Sequence, residues 1–157
     1  MIYDLGFKIY DFDKDGKIKI CFLNLMIENN KKNRPIKSFT DLMAWQEGHK
    51  LVIMLYKDLT CFPREELYSL TDQMKRAGVS ITSNIAEGFG RQTYKEKTNF
   101  YYQAQGSLTE LKNQILIAKD VGFIKENDFI QLVSQINIVH RLLQGLIQKT
   151  KSFIIRK

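Results

Sequence analysis

The sequence predicts an all-α protein: an antiparallel up-down-up-down bundle of four helices, preceded by a non-helical segment. Apolar residues recur in alternating steps of three and four through four segments between residues 38 and 150. This is the spacing of one helix packed lengthwise on another. Short runs that contain Pro, Gly or capping residues separate these segments. The composition, 44% hydrophobic and 26% charged, is that of an ordinary globular domain.

Residues 1–37 differ from the rest and predict an extension that is either a β-hairpin or disordered, ending in a polar linker. Two β-leaning runs flank an Asp-Gly pair, which is a hairpin-turn signal. The same loop begins like a calcium-binding EF-hand, with Asp11, Asp13 and Asp15 at the first, third and fifth places. The twelfth place is Phe22, however, where calcium binding needs a bidentate Glu. We therefore expect a plain turn without calcium.

The first helix is predicted to begin at Ser38, Thr40 or Asp41, which are all suitable N-caps, and to end before Pro63. Its predicted seam, at heptad spacing, consists of Leu42, Trp45, His49, Val52, Tyr56 and Leu59. We expect the histidine to be a packing residue and the two larger aromatic residues to lie in the core or an interface.

The second helix is predicted to follow Pro63 and to end near Glu87, because Gly88 and Gly90 should break it. Its predicted seam consists of Leu67, Leu70, Met74, Ala77, Ile81, Asn84 and Gly88. The second half of this seam is rich in small residues, which allow a neighbouring helix to come close. The amide of Asn84 must then find a partner on that neighbour. This helix is predicted to be the central member of the bundle.

The third helix is predicted to open with a capping box, Thr93 to Glu96, and to end near Gly122. Its predicted seam consists of Phe100 or Tyr101, then Ala104, Leu108, Leu111, Ile115 and Ala118. The fourth helix should begin near Asn127 or Asp128, and residues 151–157 should form a basic tail after it. The predicted seam of this helix consists of Phe129, Leu132, Ile136, Val139, Leu143, Leu146 and Thr150.

Polar residues recur on the second helix at steps of four, four and three, and two polar residues of the third helix could face them. The set comprises Arg76, Ser80, Asn84, Glu87, Ser107 and Glu110. We favour an internal network that sets the helix register, in which Arg76 pairs with Glu110 or Glu87, because an unpaired buried member would cost about 1–3 kcal/mol. The competing hypothesis is a binding site at the loop between helices 2 and 3.

The sequence favours a non-enzymatic protein without cofactor or metal. It has no Glu-x-x-His pair for a di-iron bundle, no nucleophile elbow, no phosphate-binding glycine loop and no zinc-spaced Cys/His set. Cys21 and Cys61 stand alone, which suits a reducing cytoplasm. No apolar run approaches the ~18 residues of a membrane span.

The net charge of +7 raises the possibility of a polyanionic partner. Residues 1–37 carry eight Lys and Arg against five Asp and Glu, a net +3, which leaves +4 for the rest. We expect basic residues near the loop between helices 2 and 3, interleaved with aromatic residues, to contact phosphates and unpaired bases. The candidates for phosphate contacts are Lys75, Arg91, Lys95 and Lys97.

Three ordered blocks of sequence, covering roughly residues 36–148, resemble a known family. The main block comprises Pro63, Glu66, Leu70, Gln73, Arg76, Ala77, Ser80, Ile81, Asn84, Ile85, Ala86, Glu87, Gly88 and Arg91. Phe39-x-x-Leu42-x-x-Trp45-Gln46 precedes it, and Gly106-Ser107-Leu108-x-Glu110 follows it. Together they resemble the 23S rRNA intervening-sequence protein family, also called the S23 or four-helix bundle family.

The resemblance implies properties that residue spacing does not show. Members of the family resemble products of reading frames inside intervening sequences of large-subunit rRNA genes. Relatives act as accessory proteins to reverse transcriptases, and characterised bundles form pentameric rings. The function implied is therefore a homopentamer that binds structured RNA. The alternative is a protein-interaction scaffold or an accessory protein to a polymerase or reverse transcriptase.

Overall fold

A computed structural model describes residues 35–155 of the chain and shows four long helices with no strand in that range. They are α1 (Met43–Asp58), α2 (Leu70–Gly90), α3 (Tyr94–Asp120) and α4 (Glu126–Ile155). Short 3₁₀ turns lie at Phe39–Asp41, Leu59–Cys61 and Arg64–Glu66. The all-α prediction is confirmed. None of the described helices combines the length and apolarity needed to cross a membrane.

The hairpin-or-disorder prediction and the calcium-loop prediction both fall on residues 1–34, which lie outside the described residues. Residues 156–157 lie outside them as well. Of the tail predicted at 151–157, residues 151–155 are helical and extend α4. The apolar residues of this segment continue the spacing of α4, so the lysines among them do not end the helix.

The predicted capping signals lie where helical segments begin and end. Ser38 and Asp41 form a capping box around the first 3₁₀ turn, and α1 itself begins only at Met43. The two backbone N–H groups that donate to Asp41 hold the pKa of this carboxyl below its usual range. At the other end of the chain, Gly122 follows α3 with a φ of +83°, a conformation that glycine adopts without strain.

The predicted limits of the second helix are wrong at both ends. Residues 64–66 form a separate 3₁₀ turn, and α2 begins at Leu70, so Leu67 lies ahead of the helix and is largely exposed. At the other end α2 continues through Gly88 to Gly90. A glycine inside a helix costs only about 1 kcal/mol relative to alanine, which packing against α3 can offset.

The helices pack in the order α1, α2, α3, α4, and α4 closes the circle against α1. The core lies between them and is made of fully buried Leu, Ile, Met and Val side chains. The largest of these are Leu51, Leu55, Met74, Ile81, Ile85, Leu111, Ile115, Leu132, Ile136, Val139, Leu143 and Ile147. This core confirms the predicted seams of the second, third and fourth helices at most positions, with Tyr101 as the buried aromatic residue of α3.

The predicted seam of the first helix is wrong at two positions, because His49 and Tyr56 are exposed. The face that enters the core is instead centred on Gly48, Leu51 and Leu55. Gly48 allows α1 to approach α2 closely. A Cβ atom added there would lie 3.4 Å from the Cγ2 atom of Thr82. His49 stacks on Trp45 at the bundle surface, with ring centroids 5.0 Å apart.

Candidate nucleic-acid interface

Part of the predicted polar network is present and joins α2 to α3. The hydroxyls of Ser80 and Ser107 lie 2.8 Å apart. Asn84 donates from Nδ2 to the backbone oxygen of Ser80 at 2.8 Å and to its Oγ at 3.0 Å. The Ser80–Ser107 bond joins the two helices and fixes their register, in agreement with the internal role that the sequence favoured. The expected partner of Asn84 on the neighbouring helix is wrong, because both of its hydrogen bonds are made within α2.

Arg76, Glu87 and Glu110 do not belong to this network. The predicted pairing of Arg76 with Glu110 or Glu87 is wrong, because the Nη1 atom of Arg76 lies 2.5 Å from Asp72 on the exposed side of α2. Glu87 pairs with Arg91, and Glu110 accepts a hydrogen bond from Gln114.

The geometry of an α-helix explains this separation of the polar stripe. Each step of four residues turns about 40° beyond a full circle, so Asn84 is rotated about 80° from Arg76 around the helix axis. Ser80 and Asn84 therefore turn toward α3, while Arg76 and Glu87 stay exposed on the outer side of α2.

The four predicted phosphate-contacting residues are not brought together. Lys75 lies on α2, 16 residues before Arg91, which directly follows the helix; this separation is about 24 Å along the helix axis. Its Nζ atom lies 5.7 Å from the ring centroid of Tyr56 on α1. Lys75 therefore does not reach the α2–α3 connection, where the other three candidates are found.

Two of those three cations make contacts within the α2–α3 connection. The guanidinium of Arg91 binds Glu87 and lies 4.4 Å from the ring centroid of Phe100. Lys97 donates from Nζ to the backbone oxygen of Phe89 at 2.5 Å, near the end of α2. A cation at this position interacts favourably with the negative end of the helix dipole. Both residues therefore stabilise the turn.

Lys95 is different, because it is exposed and has no carboxylate within 4 Å among the described residues. It lies in the first turn of α3, next to the capping box of Thr93 and Glu96. Hydrogen bonds from Thr93 hold the pKa of the Glu96 carboxyl below its usual range. That acid is therefore charged at neutral pH and is occupied by the cap.

The end of α4 also packs against this region, and the sequence pattern did not predict that contact. Phe153 stacks on Tyr94 of α3, with ring centroids 5.0 Å apart. Lys149 lies 5.3 Å from the Phe153 ring centroid, and Lys151 donates from Nζ to the Tyr102 hydroxyl at 3.2 Å. A signal existed in the sequence, because the apolar pattern of α4 continues past residue 150 with lysines interleaved.

We call this surface the basic end of the bundle. It comprises Lys95, Lys149 and Lys151 with the aromatic residues Tyr94, Tyr102 and Phe153. Within residues 35–155, no carboxylate lies within 4 Å of any of the three lysines. Their charges are therefore free to attract phosphate groups. The same part of the chain shows no group of three or more His, Cys, Asp or Glu residues that could hold a metal ion.

The fold is similar to that of a solved structure from Bacteroides thetaiotaomicron, a protein of unknown function from the S23 ribosomal protein family. The two chains are 16% identical with a TM-score of 0.63, and the match covers 67% of this chain and 98% of the other. No curated protein matches the chain. The sequence model of a family described as 23S rRNA-intervening sequence protein matches residues 40–145, more than half of the chain. The chain therefore belongs to the 23S rRNA-intervening sequence protein family.

Proposed function

We propose that this protein is a non-enzymatic, cytoplasmic RNA-binding bundle that contacts structured RNA through its basic end. The observation that carries the proposal is the packing of the end of α4 on α3. It sets Lys149 and Lys151 beside Phe153 and Tyr102, and Phe153 stacks on Tyr94, whose neighbour in the chain is the exposed Lys95. The name of the family, which refers to 23S rRNA, supports RNA as the polyanion.

The proposed binding combines two physical interactions. The lysines neutralise phosphates and release the counterions that the RNA had held. Tyr94 and Tyr102 are exposed, although Phe153 stacks on the Tyr94 ring and Lys151 lies over the Tyr102 ring, so an unpaired base would stack on the ring surface that remains. Such stacking contributes about 1–3 kcal/mol per base and tolerates many sequences. The preferred RNA is therefore a folded hairpin with unpaired loop nucleotides rather than one particular sequence.

The proposal is tested by the salt dependence of RNA binding. Fluorescence anisotropy with the full chain and a labelled RNA hairpin should show affinity falling linearly with salt on a log–log scale. Three phosphate contacts per protomer predict a slope of about −2 to −3. Binding that is absent, or that does not respond to salt between about 50 and 200 mM, would refute the proposal.

A protein-interaction scaffold, such as an accessory protein to a polymerase or reverse transcriptase, is the second candidate. It is favoured by exposed apolar side chains toward the end of α3 and the start of α4. These are Leu116, Ile117, Val121 and Ile130. Apolar surface of this kind marks protein interfaces. A complex held by such a surface should keep its affinity at high salt, unlike an RNA complex.

We also propose that the protein assembles as a homopentamer. A ring with an odd number of subunits needs a head-to-tail interface, in which two different faces of each protomer meet. The exposed apolar residues Ile53, Val79 and Leu116 lie on three different helices and can supply such faces. Light scattering should give a mass of about five times 18.4 kDa. A monomer at micromolar concentration would contradict the assembly, and a dimer would indicate a self-complementary interface instead.

A further inference from the structure

A cleft of about 320 Å³ lies between the end of α1, the turns that follow it and the start of α2. Its walls are mainly apolar and include Tyr56, Leu59, Phe62 and Leu67. The volume is at the lower end of the range found for small-molecule sites. It suits a ligand of one or two rings. The cleft lies on the α1–α2 side of the bundle, away from the basic end.

Thr71 lines this cleft and provides an unsatisfied polar group. The residue is only 2% exposed, and its Oγ1 atom is buried without a hydrogen-bond partner among the described residues. Leaving such a hydroxyl unpaired costs about 1–3 kcal/mol. A rotation of the Thr71 side chain that brings Oγ1 to the cleft surface would let a ligand atom pair with this hydroxyl and recover that loss.

Two cations border the same cleft. Lys75 lies one helical turn after Thr71 on the same face of α2, and Arg64 lies on the turn that precedes the helix. Within residues 35–155, neither cation has a carboxylate within 4 Å. The nearby acid Asp72 is paired with Arg76, and Glu66 accepts a hydrogen bond from the Leu70 backbone. The charge offered to a ligand is therefore positive.

The start of α2 adds little to this positive charge. Ser69 makes no side-chain capping bond, but the Glu66 carboxylate accepts a hydrogen bond from the Leu70 N–H, and Asp72 lies in the first turn. These two acids already offset the partial positive charge of the helix start. The preference for an anion therefore comes from the two cations.

From these observations we propose that the cleft binds a small planar organic anion. Its ring lies against Tyr56 and Phe62, its carboxylate or phosphate lies between Lys75 and Arg64, and one of its oxygens accepts a hydrogen bond from Thr71. This site is independent of the RNA-binding proposal, because it shares no residue with the basic end.

The test is an NMR titration of the ¹⁵N-labelled full chain with two probes, indole-3-carboxylate and phenyl phosphate. Indole-3-carboxamide serves as the uncharged control. We expect both anions to shift the amide signals of Thr71 and Lys75, and the amide probe to bind at least about tenfold more weakly. Thr71→Val and Lys75→Gln should each weaken anion binding by a similar factor. Lys112→Gln, at an exposed position of α3 outside the cleft, should leave it unchanged.

Thermal unfolding separates a ligand-binding role of Thr71 from a structural one. Because its hydroxyl has no partner, Thr71→Val should unfold at the same temperature as the unmodified protein or higher. A lower unfolding temperature would show that the hydroxyl has a structural role and would overturn this part of the assignment. The proposal fails if neither anion shifts these signals at millimolar concentration, if the amide binds equally well, or if the shifts appear only at the basic end.

Discussion

Replacing Gly88 by alanine should lower the free energy of unfolding by about 1–3 kcal/mol, the usual effect of overpacking. A Cβ atom at this position would lie 2.7 Å from Cε1 of Tyr101 and 3.0 Å from Cβ of Phe100. The Tyr101 ring is only 2% exposed and is held by the core, so it cannot move aside as a flexible surface side chain would. Helices α2 and α3 would have to separate at this contact.

Gly90, two residues further along α2, is the matched control. A Cβ atom added there meets no atom within 4 Å. Gly90→Ala should therefore leave stability unchanged or raise it by up to about 1 kcal/mol, since alanine restricts the unfolded chain. Urea unfolding followed by helical circular dichroism measures both variants. Equal stability of the two would show that the close approach at Gly88 does not limit packing.

Local spacing predicted most of the fold because each helix carries its own periodic signal. The seams of α2, α3 and α4 could be read this way, and so could the capping box at Thr93. The first helix shows where the method fails. Two overlapping apolar stripes run along it, one through Trp45 and Tyr56 and the other through Leu51 and Leu55. Only the position of neighbouring helices decides which stripe enters the core.

The candidate site was harder to predict, because it depends on contacts between distant parts of the chain. Lysines at 95 and 97 looked equivalent in sequence, yet Lys97 binds a backbone oxygen at the end of α2 while Lys95 is exposed. Similarly, the contact between Lys151 and Tyr102 joins residues 49 positions apart. Helical periodicity carries no information about such pairs. These residues meet because α4 continues to Ile155, beyond the end near residue 150 that its sequence pattern predicts.

Changing Lys95, Lys149 and Lys151 together to glutamine should weaken RNA binding by roughly tenfold to a hundredfold at low salt. It should also flatten the log–log salt slope by about two to three units, since each lost phosphate contact removes roughly one unit. The fold should change little, because exposed charges contribute little to stability. Anisotropy measurements at several salt concentrations, paired with a thermal melt, give both quantities.

The matched control removes three exposed lysines elsewhere on the bundle, Lys57, Lys112 and Lys125. Both triple variants lower the net charge from +7 to +4, so a general electrostatic attraction would weaken equally in each. If the basic end is the binding site, only the first variant loses its affinity and its slope. Equal losses would show that the RNA responds to total charge rather than to this surface. If neither variant loses affinity, the lysines of the basic end do not contact the phosphates.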